Sequence, residues 1–383
     1  MSKVEVKAMS LAEMRTHRST KWRDFPSEVL PLPVAEMDFP VAQPIRTLLL
    51  GMVSHSDLGY LGAVPEIGTA FAAFAQKRWN WTVDPNQIHI ATDVGVAAVE
   101  LLRLLTKPGD KVLINSPVYH NFYTWIEETQ LKKVDVPFGN AESGWAIDFE
   151  GIEKAYQDGV KVHMLCSPHN PLGRVYSREE LLRLVSLAKK FDVLIISDEI
   201  HAPLTFSESE FVPFLSLGED AESVGITITA ASKAWNIAGL KCAFIVTQGP
   251  IMNELLQKLP EATHYRASLL GAFATASAFS ECDDWLDGVI ETLDSNRHFL
   301  KKLLDEKLPT VGYRIPASGY LAWLDLSSLN LGENPAATCL EKGKVAFNSG
   351  ESFSALTPQY VRLNFATSHD VLTEAVERII KSL

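Results

Sequence analysis

The stretch VKVHMLCSPHNPLGRVYSREELLRLVSLAKKFDVLIISDEIHAPL, residues 160–204, decides the fold. It begins with a β-rich apolar run at 160–166 and contains a second apolar run at 193–197. Between these runs, SREELLRLVSLAKKF at 177–191 has the spacing of an amphipathic helix and opens with a Ser…Glu capping box. A strand, a helix and a strand in this order predict two parallel strands joined by a crossover helix.

The same alternation extends outward from this unit, from about residue 94 to residue 246. A helical stretch, VGVAAVELLRLL, covers 94–105 and ends before the stop signal KPGD. The further β-rich runs are KVLIN (111–115), KKVDVPF (132–138), GITITAA (225–231) and AFIV (243–246). The predicted fold class is α/β, with a mostly parallel sheet whose ligands bind beyond the carboxyl ends of the strands.

The remaining segments predict a second domain. A charged amphipathic segment at 283–308 predicts a connecting helix, and strand formers such as YLAWLDL and QYVRLNF behind it predict a smaller α+β domain. The proline-rich stretch at 26–44 is expected to be extended and to wrap onto this smaller domain, because proline is not tolerated inside a helix. We therefore divide the chain into a large domain, 45–282, and a small domain, 1–44 with 283–383.

Composition argues against several classes of function. The chain has 383 residues, 46% of them hydrophobic, and a net charge of −12, which disfavours nucleic acid and anionic membrane surfaces as partners. Four cysteines without a CxxC pair suggest neither a disulfide framework nor a zinc site. The first thirty residues contain no apolar h-region, and no apolar run approaches the roughly 18 residues that span a bilayer. We expect a cytoplasmic protein with a small-molecule partner and no metal.

Lys233 is the strongest local signal for chemistry. In ITITAASKAWNIAGLKCAF a β-rich run ends at a turn of small residues, and Lys233 follows at once. A lysine at the end of a buried strand loses hydration, which lowers its pKa and makes it a useful amine. Taken alone, an exposed loop lysine is the more common explanation. Lys241 follows the Gly239 turn, where it is either a phosphate-binding cation or a solvated charge.

Asp198 and His201 follow the apolar strand of VLIISDEIHAPL. A carboxylate at that strand end can hold a pyridinium nitrogen protonated, the pairing that makes pyridoxal phosphate an electron sink. Strand-end acids also bind metals or cap helices. The metal interpretation is weaker, because no second histidine or acidic cluster lies nearby in the sequence.

Further candidate residues each have a structural explanation beside the functional one. Asn170 and Tyr119 follow strand ends and can hydrogen-bond a ligand oxygen and stack on a planar ring, or simply form a turn and pack. Val94 and Gly95 open a helix whose backbone N–H groups can bind phosphate. Arg362, in the apolar run QYVRLNF, must be paired or ligand-bound, and its planar fork suits a carboxylate.

In this order and spacing the residues resemble the fold-type I pyridoxal 5'-phosphate enzymes, the aspartate aminotransferase superfamily, over nearly the whole chain. PHNPLGR, SDEIH and SKAWNIAGLK are the specific marks. RSTKW, LPLPVAEMDFP and a histidine three residues after the aspartate resemble the MalY/PatB group of cystathionine β-lyases, or C–S lyases. The resemblance implies a mostly parallel seven-stranded sheet in the large domain, and elimination rather than transamination.

The resemblance also implies a role for each residue around the cofactor ring. Lys233 would form the Schiff base with pyridoxal 5'-phosphate, Asp198 would pair with the pyridinium nitrogen, and Tyr119 would stack on the ring. These three are the implied catalytic residues. Asn170 and His201 would hydrogen-bond the phenolic oxygen of the cofactor.

The implied phosphate site uses residues from two subunits. Its ligands would be the amides of Val94 and Gly95, the Lys241 ammonium and Tyr60 of the other subunit, with Ser232 as a further cofactor-binding residue. A tyrosine shared across subunits implies a homodimer as the active unit. Arg362 would bind the α-carboxylate of the substrate.

Three positions depart from the family pattern. The hydroxyl residue that often stands three before the lysine is Ala230 here, so Thr229 or Ser232 must replace it or the phosphate loses a contact. Asp93, in DVGVA, brings a negative charge near the implied phosphate. Pro33 stands where the LPLPVA segment often has an aromatic residue, which leaves the preferred thioether open.

The predicted activity is cleavage of L-cystathionine, or of a related L-cysteine S-conjugate, to a thiol, pyruvate and ammonia. Lys233 would act as nucleophile and general base. A class I/II aminotransferase uses the same residues and is the alternative. A protein that keeps the cofactor for a structural role is a second alternative, which the retention of Lys233, Asp198 and Arg362 disfavours. The pathway is left open between methionine biosynthesis, sulfur salvage and detoxification.

Overall fold

The structure, a computed structural model, describes residues 4–383. The strands are β1 (Leu30–Pro31), β2 (Ile88–Ala91), β3 (Lys111–Ile114), β4 (Lys132–Asp135), β5 (Val160–Cys166), β6 (Leu194–Asp198), β7 (Gly225–Thr229), β8 (Ala243–Val246), β9 (Gly312–Tyr313), β10 (Leu321–Asp325), β11 (Val345–Ala346), β12 (Asn348–Ser349) and β13 (Tyr360–Asn364). The helices are α1 (Leu11–Met14), α2 (Thr20–Arg23), α3 (Gln43–Ser54), α4 (Pro65–Trp79), α5 (Val94–Leu105), α6 (Asn121–Glu128), α7 (Phe149–Gln157), α8 (Arg178–Phe191), α9 (Glu219–Val224), α10 (Pro250–Leu256), α11 (Ala262–Tyr265), α12 (Leu269–Glu281), α13 (Asp283–Lys307), α14 (Pro335–Thr338) and α15 (His369–Ile380).

A seven-stranded sheet forms the centre of the fold, in the order β2-β8-β7-β6-β5-β3-β4. The pairs from β4 to β7 are parallel, and β8 runs antiparallel to both of its neighbours. This confirms the predicted α/β class with a mostly parallel seven-stranded sheet. The sequence analysis missed β2, a strand of four residues that carries the polar His89 at the edge of the sheet.

The crossover between β5 and β6 follows the pattern from which it was predicted. Ser177 caps α8 by accepting a hydrogen bond from the Glu180 amide at 3.2 Å, and the Glu180 carboxylate accepts one from the Ser177 amide at 2.9 Å. The helix ends at Asp192, whose left-handed backbone (φ 55°) turns the chain into β6. The strands β5 and β6 therefore end side by side, with Cys166 opposite Asp198.

An aromatic cluster holds the loop that follows β7. Trp235, fully buried two residues after Lys233, packs edge-on against Phe279 with ring centroids 4.7 Å apart, and against Phe74 at 5.7 Å. Helix α12 approaches the same loop closely, since a Cβ atom on Gly271 would lie 2.1 Å from the Leu240 carbonyl oxygen. Packing on two sides thus fixes the backbone from Lys233 to Leu240.

A second, antiparallel sheet has the order β12-β13-β10-β9. The proline-rich segment lies against this part of the chain: β1 pairs with β11, and the Asn364 amide donates to the Leu32 carbonyl at 2.9 Å. The segment lacks a helix up to Ala42, as expected, but the prediction is wrong for Gln43 and Pro44, which begin α3, because proline is tolerated in the first turn of a helix. The division into domains 45–282 and 1–44 with 283–383 stays a prediction, and residues 1–3 lie outside the described part. No helix within residues 4–383 is long and apolar enough to cross a membrane.

Residues 33–36, here called the carbonyl segment, face the sheets with their backbone oxygens. Their four carbonyl groups accept hydrogen bonds from the side chains of Arg362, Asn364, Lys233, Tyr320 and Lys21. Lys21 also forms an ion pair with Asp38 at 2.6 Å, and both side chains are buried. This pair ties the N-terminal helix α2 to the end of the carbonyl segment.

Lys21→Met is expected to leave the Asp38 carboxylate buried without its cation. Breaking a buried ion pair from one side costs about 3–5 kcal/mol, so the free energy of unfolding, measured by urea denaturation, should fall by that amount. The double variant Lys21→Met with Asp38→Leu should recover most of the loss, because no uncompensated charge remains. A loss below about 1 kcal/mol in the single variant would contradict this account.

Candidate active site

A cavity of about 470 Å³ opens at the carboxyl ends of the central parallel strands. Cys166 ends β5, Asp198 ends β6, and Ala230 follows β7, and all three contribute to its wall. Of the residues singled out from the sequence, those that line it are Pro33, Asp93, Val94, Gly95, Tyr119, Asn170, Asp198, His201, Ala230, Ser232, Lys233, Lys241 and Arg362. The location of the cavity follows from the parallel topology, because β4, β3, β5, β6 and β7 all end at the same edge of the sheet.

Lys233 is a half-buried residue on the loop after β7, and its amine lines the cavity. Its Nζ donates a hydrogen bond to the Ala35 carbonyl at 3.0 Å, across 198 residues of sequence. Burial lowers the pKa of Lys233 to about 8, and the positive charge of Arg362 adds to the effect. About a tenth of the Lys233 side chains are therefore neutral, nucleophilic amines at pH 7, far more than for a lysine with the ordinary pKa.

Asp198 is a buried carboxyl group with unused acceptor capacity. Its Oδ1 accepts a hydrogen bond from the Ile200 amide at 3.2 Å, and burial raises its pKa to about 7. Glu199 points to the other side of the chain, where it accepts hydrogen bonds from Ser197 and from the Phe214 amide. Asp198 is therefore the carboxyl group that faces the cavity, and Glu199 supports the fold.

Arg362 is a buried cation on β13. Its guanidinium donates to Asn170 Oδ1 (3.1 Å), the Pro33 carbonyl (2.9 Å) and Asn348 Oδ1 (2.7 Å), while Nε has no partner among the described residues. It forms no ion pair with a carboxylate within residues 4–383, and burial lowers its pKa to about 10. A buried guanidinium held by neutral oxygens lacks its counter-ion, and the cavity beside it is open to an anionic ligand.

His201, Asn170 and Tyr119 supply neutral polar groups. Burial lowers the pKa of His201 to about 3, helped by the charges of Lys233 and Arg362, and its Nδ1 has no hydrogen-bond partner among the described residues. Asn170 uses its oxygen on Arg362, so its amide N–H groups remain available. The Tyr119 hydroxyl accepts a hydrogen bond from Asn121 at 2.9 Å, and burial raises the pKa of this phenol.

The N-terminus of α5 forms another part of the cavity wall. Gly95 is tightly enclosed, since a Cβ would lie 3.2 Å from Trp125 Nε1 and 3.3 Å from Asp93 Oδ1. Lys241 reaches the same corner and forms an ion pair with Asp93 at 2.9 Å. Backbone amides and a lysine at a helix start are suited to an anionic group.

The hydroxyl groups near Lys233 differ in their placement. Thr229 is buried at the end of β7 and donates to the Glu199 carbonyl at 3.3 Å. Ser232 lines the cavity and Thr229 does not. Of the two hydroxyl residues considered as replacements for Ala230, Ser232 is therefore the one placed for a ligand.

Tyr60 does not join this cavity in its own chain. It is fully exposed, in a segment without regular structure between α3 and α4. Its proposed role depends on a second subunit and is taken up below.

Several residues of the site escaped the sequence analysis. They include Asn348, which binds Arg362, and Ala35, whose carbonyl binds Lys233. Asn348 lies opposite Arg362 in the pairing of β12 with β13, and a two-residue strand leaves no periodic signal in the sequence. A backbone carbonyl has no residue signature at all. The other lining residues not singled out are Thr20, Val34, His120, Asn121, Trp125, Cys166, Ile200, Ala238 and Cys242.

The site contains no metal-binding cluster of the usual kind: within residues 4–383 no group of three or more His, Cys, Asp or Glu side chains is arranged to hold a metal ion. The cavity is lined by the cationic side chains of Lys233, Lys241 and Arg362, which suit an organic ligand with negatively charged groups.

Comparison with known proteins agrees with this geometry. The chain is 35% identical to a cystathionine beta-lyase of Corynebacterium glutamicum, over 97% of this chain and 99% of that one. It is 33% identical to the cystathionine beta-lyase PatB of Bacillus subtilis, over 93% of both. Cystalysin of Treponema denticola, whose crystal structure contains pyridoxal 5'-phosphate, superposes with a TM-score of 0.92 at 29% identity and covers 100% of this chain and 99% of that one.

These relatives confirm the resemblance to fold-type I enzymes of the C–S lyase group that the sequence motifs indicated. The family model for aminotransferase class I and II matches residues 53–379, which include nearly all of the cavity lining. The chain therefore belongs to the aminotransferase class I and II family.

Proposed function

We propose that this protein is a pyridoxal 5'-phosphate-dependent C–S β-lyase that cleaves L-cystathionine, or a related L-cysteine S-conjugate, to a thiol, pyruvate and ammonia. The observation that carries the proposal is the convergence of a half-buried amine, a buried carboxyl group and a buried guanidinium without an ion-pair partner on one cavity. The relatives named as cystathionine beta-lyases support the choice of reaction within the family.

The residues present fit the cofactor. Asp198 has acceptor capacity for a protonated ring nitrogen, and a cationic N–H partner would favour its ionised form. The amide N–H groups of Asn170 are free to meet an oxygen, as a phenolic group requires, and His201 lines the same cavity. The start of α5, with Ser232 and Lys241, would hold the phosphate, and Tyr119 would lie against the ring.

Lys233 has the properties of both the attachment point and the base. Its lowered pKa leaves a neutral Nζ that can attack an aldehyde, and the same atom, once released, can take the proton from Cα of the substrate. When bound, pyridoxal 5'-phosphate supplies an electron sink for the charge that the Cα proton leaves behind. The thiolate then departs from Cβ, and water completes the release of pyruvate and ammonia.

Arg362 orients the substrate. Three neutral oxygens fix the guanidinium plane and use three of its five N–H groups, so an N–H of Nη1 is left for the α-carboxylate. A carboxylate bound there would also be the counter-ion that this buried cation lacks. The substrate is thereby selected as an amino acid before any contact with its sulfur-containing side chain.

The first experiment follows pyruvate and free thiol together after addition of L-cystathionine to the purified protein without a keto acid. We expect equal amounts of both products, and loss of both in Lys233→Ala, because that variant has neither the attachment point nor the base. Lys302→Ala, an exposed lysine of α13, is the matched control and should keep full activity. No pyruvate, together with conversion of the cofactor to its amine form, would establish the alternative, a class I/II aminotransferase.

The titration of Asp198 provides a second test that needs no substrate. Burial raises the pKa of Asp198 to about 7, while a carboxyl group in the unfolded chain titrates near pH 4, roughly. Between these values the folded state keeps a proton that the unfolded state has released, so this group makes the free energy of unfolding fall as pH rises from roughly 4 to 7.

Asp198→Asn should remove that slope. The cofactor-free variant is expected to be more stable than the cofactor-free wild type at pH 8, by up to about 4 kcal/mol, with little difference at pH 4. Urea denaturation between pH 4 and pH 8 measures the difference, and Asp220→Asn, at an exposed carboxylate, is the control. A difference that does not grow with pH would show that Asp198 is ionised without cost in the folded chain.

We propose that the active unit is a homodimer in which Tyr60 of one chain reaches the phosphate site of the other. Tyr60 is fully exposed, and Leu50, Val53 and Leu58 in the same stretch are also exposed. Exposed apolar side chains concentrated in this way mark a contact surface.

A cytoplasmic location, a role in methionine biosynthesis, and the absence of nucleic-acid and membrane partners likewise remain proposals from the sequence.

Hybrid dimers test the shared site. Tyr60→Ala and Lys233→Ala homodimers should both be impaired, but a mixture of the two chains should contain hybrids with one intact site, built from Lys233 of one subunit and Tyr60 of the other. Random pairing gives about a quarter of wild-type activity. If the mixture shows no more activity than the separate variants, Tyr60 acts within its own chain or not at all.

A further inference from the structure

The corner of the cavity that would receive the cofactor phosphate already holds an anionic side chain. Asp93 precedes α5, and its Oδ1 accepts a hydrogen bond from the Val96 amide at 2.8 Å. Its other oxygen, Oδ2, is 2.9 Å from Lys241 Nζ. One carboxylate therefore engages the lysine ammonium that would bind the phosphate, together with one backbone amide of the helix start.

The two contacts cannot easily be relieved by movement of the main chain. The Lys241 carbonyl accepts a hydrogen bond from the Ser268 amide at 3.0 Å, and α12 packs against the neighbouring Leu240. Gly95 is confined between Trp125 and Asp93. Only the Asp93 and Lys241 side chains are free to rearrange, and both are partly exposed.

We propose that Asp93 weakens the binding of the phosphorylated cofactor, so that this chain exchanges pyridoxal 5'-phosphate more readily than the same site would without the carboxylate. A phosphate placed at the start of α5 must compete with Asp93 for Lys241 and lies beside a charge of its own sign. The inference rests on the proposed function, because it assumes that this cavity holds the cofactor.

The size of the effect is limited by solvent. The side chain of Asp93 keeps 39% of its exposure, so water and salt screen its repulsion of the phosphate. A carboxylate and a phosphate a few ångströms apart in a largely aqueous environment repel each other enough to weaken binding of the phosphate by about tenfold. The effect should diminish as the salt concentration rises, because exposed charges are screened.

Asp93→Asn separates the charge from the structural role. Asparagine keeps an oxygen that accepts the hydrogen bond from the Val96 amide, and asparagine and serine are as good as aspartate at a helix N-cap. The variant therefore preserves the cap of α5 while removing the negative charge. Asp93→Ser serves as a second variant with the same logic should the first fold poorly.

The experiment measures the dissociation constants of two aldehydes for full-length protein from which the cofactor has been removed. Equilibrium dialysis with pyridoxal 5'-phosphate and with pyridoxal, which has the same ring and no phosphate, compares wild type, Asp93→Asn and Asp220→Asn. The last variant makes the same change in net charge at a surface ion pair with Lys189, far along the chain in α9.

We expect Asp93→Asn to bind pyridoxal 5'-phosphate about tenfold more tightly than wild type at low salt. Its affinity for pyridoxal, and the affinity of Asp220→Asn for either aldehyde, should change less than twofold, roughly. An unchanged or weaker affinity of Asp93→Asn for pyridoxal 5'-phosphate overturns the inference, and so does an equal gain for both aldehydes.

Failure of the proposed function would look different. In that case wild type would bind neither aldehyde, and Lys233→Ala would behave like wild type in the dialysis. That result would overturn the function and this inference together, whereas cofactor binding without an effect of Asp93 overturns the inference alone.

Discussion

Folding brings three charged groups together at one cavity: Asp198 and Arg362, which are buried, and Lys233, which is half-buried. The burial of Asp198 and Arg362 costs several kcal/mol each, roughly, and the positive charges of Lys233 and Arg362 also repel each other. None of the three has a full ion-pair partner in the described chain, so their cost is only partly offset within the protein. The cost of removing these charges from water explains why backbone oxygens contact the two cations and why the pKa values of all three groups are shifted.

Backbone oxygens provide much of the support. The carbonyl segment gives its oxygens to Lys233 and Arg362, and Asn170 and Asn348 complete the ring of neutral acceptors around the guanidinium. The segment itself is held by the buried Lys21–Asp38 pair, in which each charge has its partner. The Lys21–Asp38 ion pair thus stabilises the carbonyl segment, whose oxygens contact Lys233 and Arg362, two cations without an ion-pair partner.

The same imbalance accounts for function. Burial moves the pKa of Lys233 down to about 8 and that of Asp198 up to about 7, so both groups titrate close to neutral pH. Perturbed pKa values of this kind are common in active sites, because an acid or base that titrates near the working pH can give up or accept a proton during the reaction. A cofactor with a protonated ring nitrogen and a substrate with a carboxylate would supply the charges that Asp198 and Arg362 lack. Ligand binding would then recover part of the free energy spent in building the cavity.

The amino-acid sequence by itself determined the elements and the identity of most reactive groups. The strand runs, the helices α5 and α8 and the Ser177–Glu180 cap follow from local periodicity and capping, which act over a few residues. Lys233, Asp198 and Arg362 are visible because each stands at or in an apolar run, where a charge is unexpected.

Only the tertiary structure decided what those groups contact. Lys233 meets Ala35 across 198 positions, Arg362 meets Asn170 across 192, and Asp93 meets Lys241 across 148. Such contacts also decide that Ser232 rather than Thr229 lies in the cavity and that Asn348 binds Arg362. They likewise decide that Lys241 forms an ion pair with Asp93. Local patterns specify which strand or helix forms, but the partner of a buried charge is set by how distant segments pack, and that information is not contained in any single stretch of the chain.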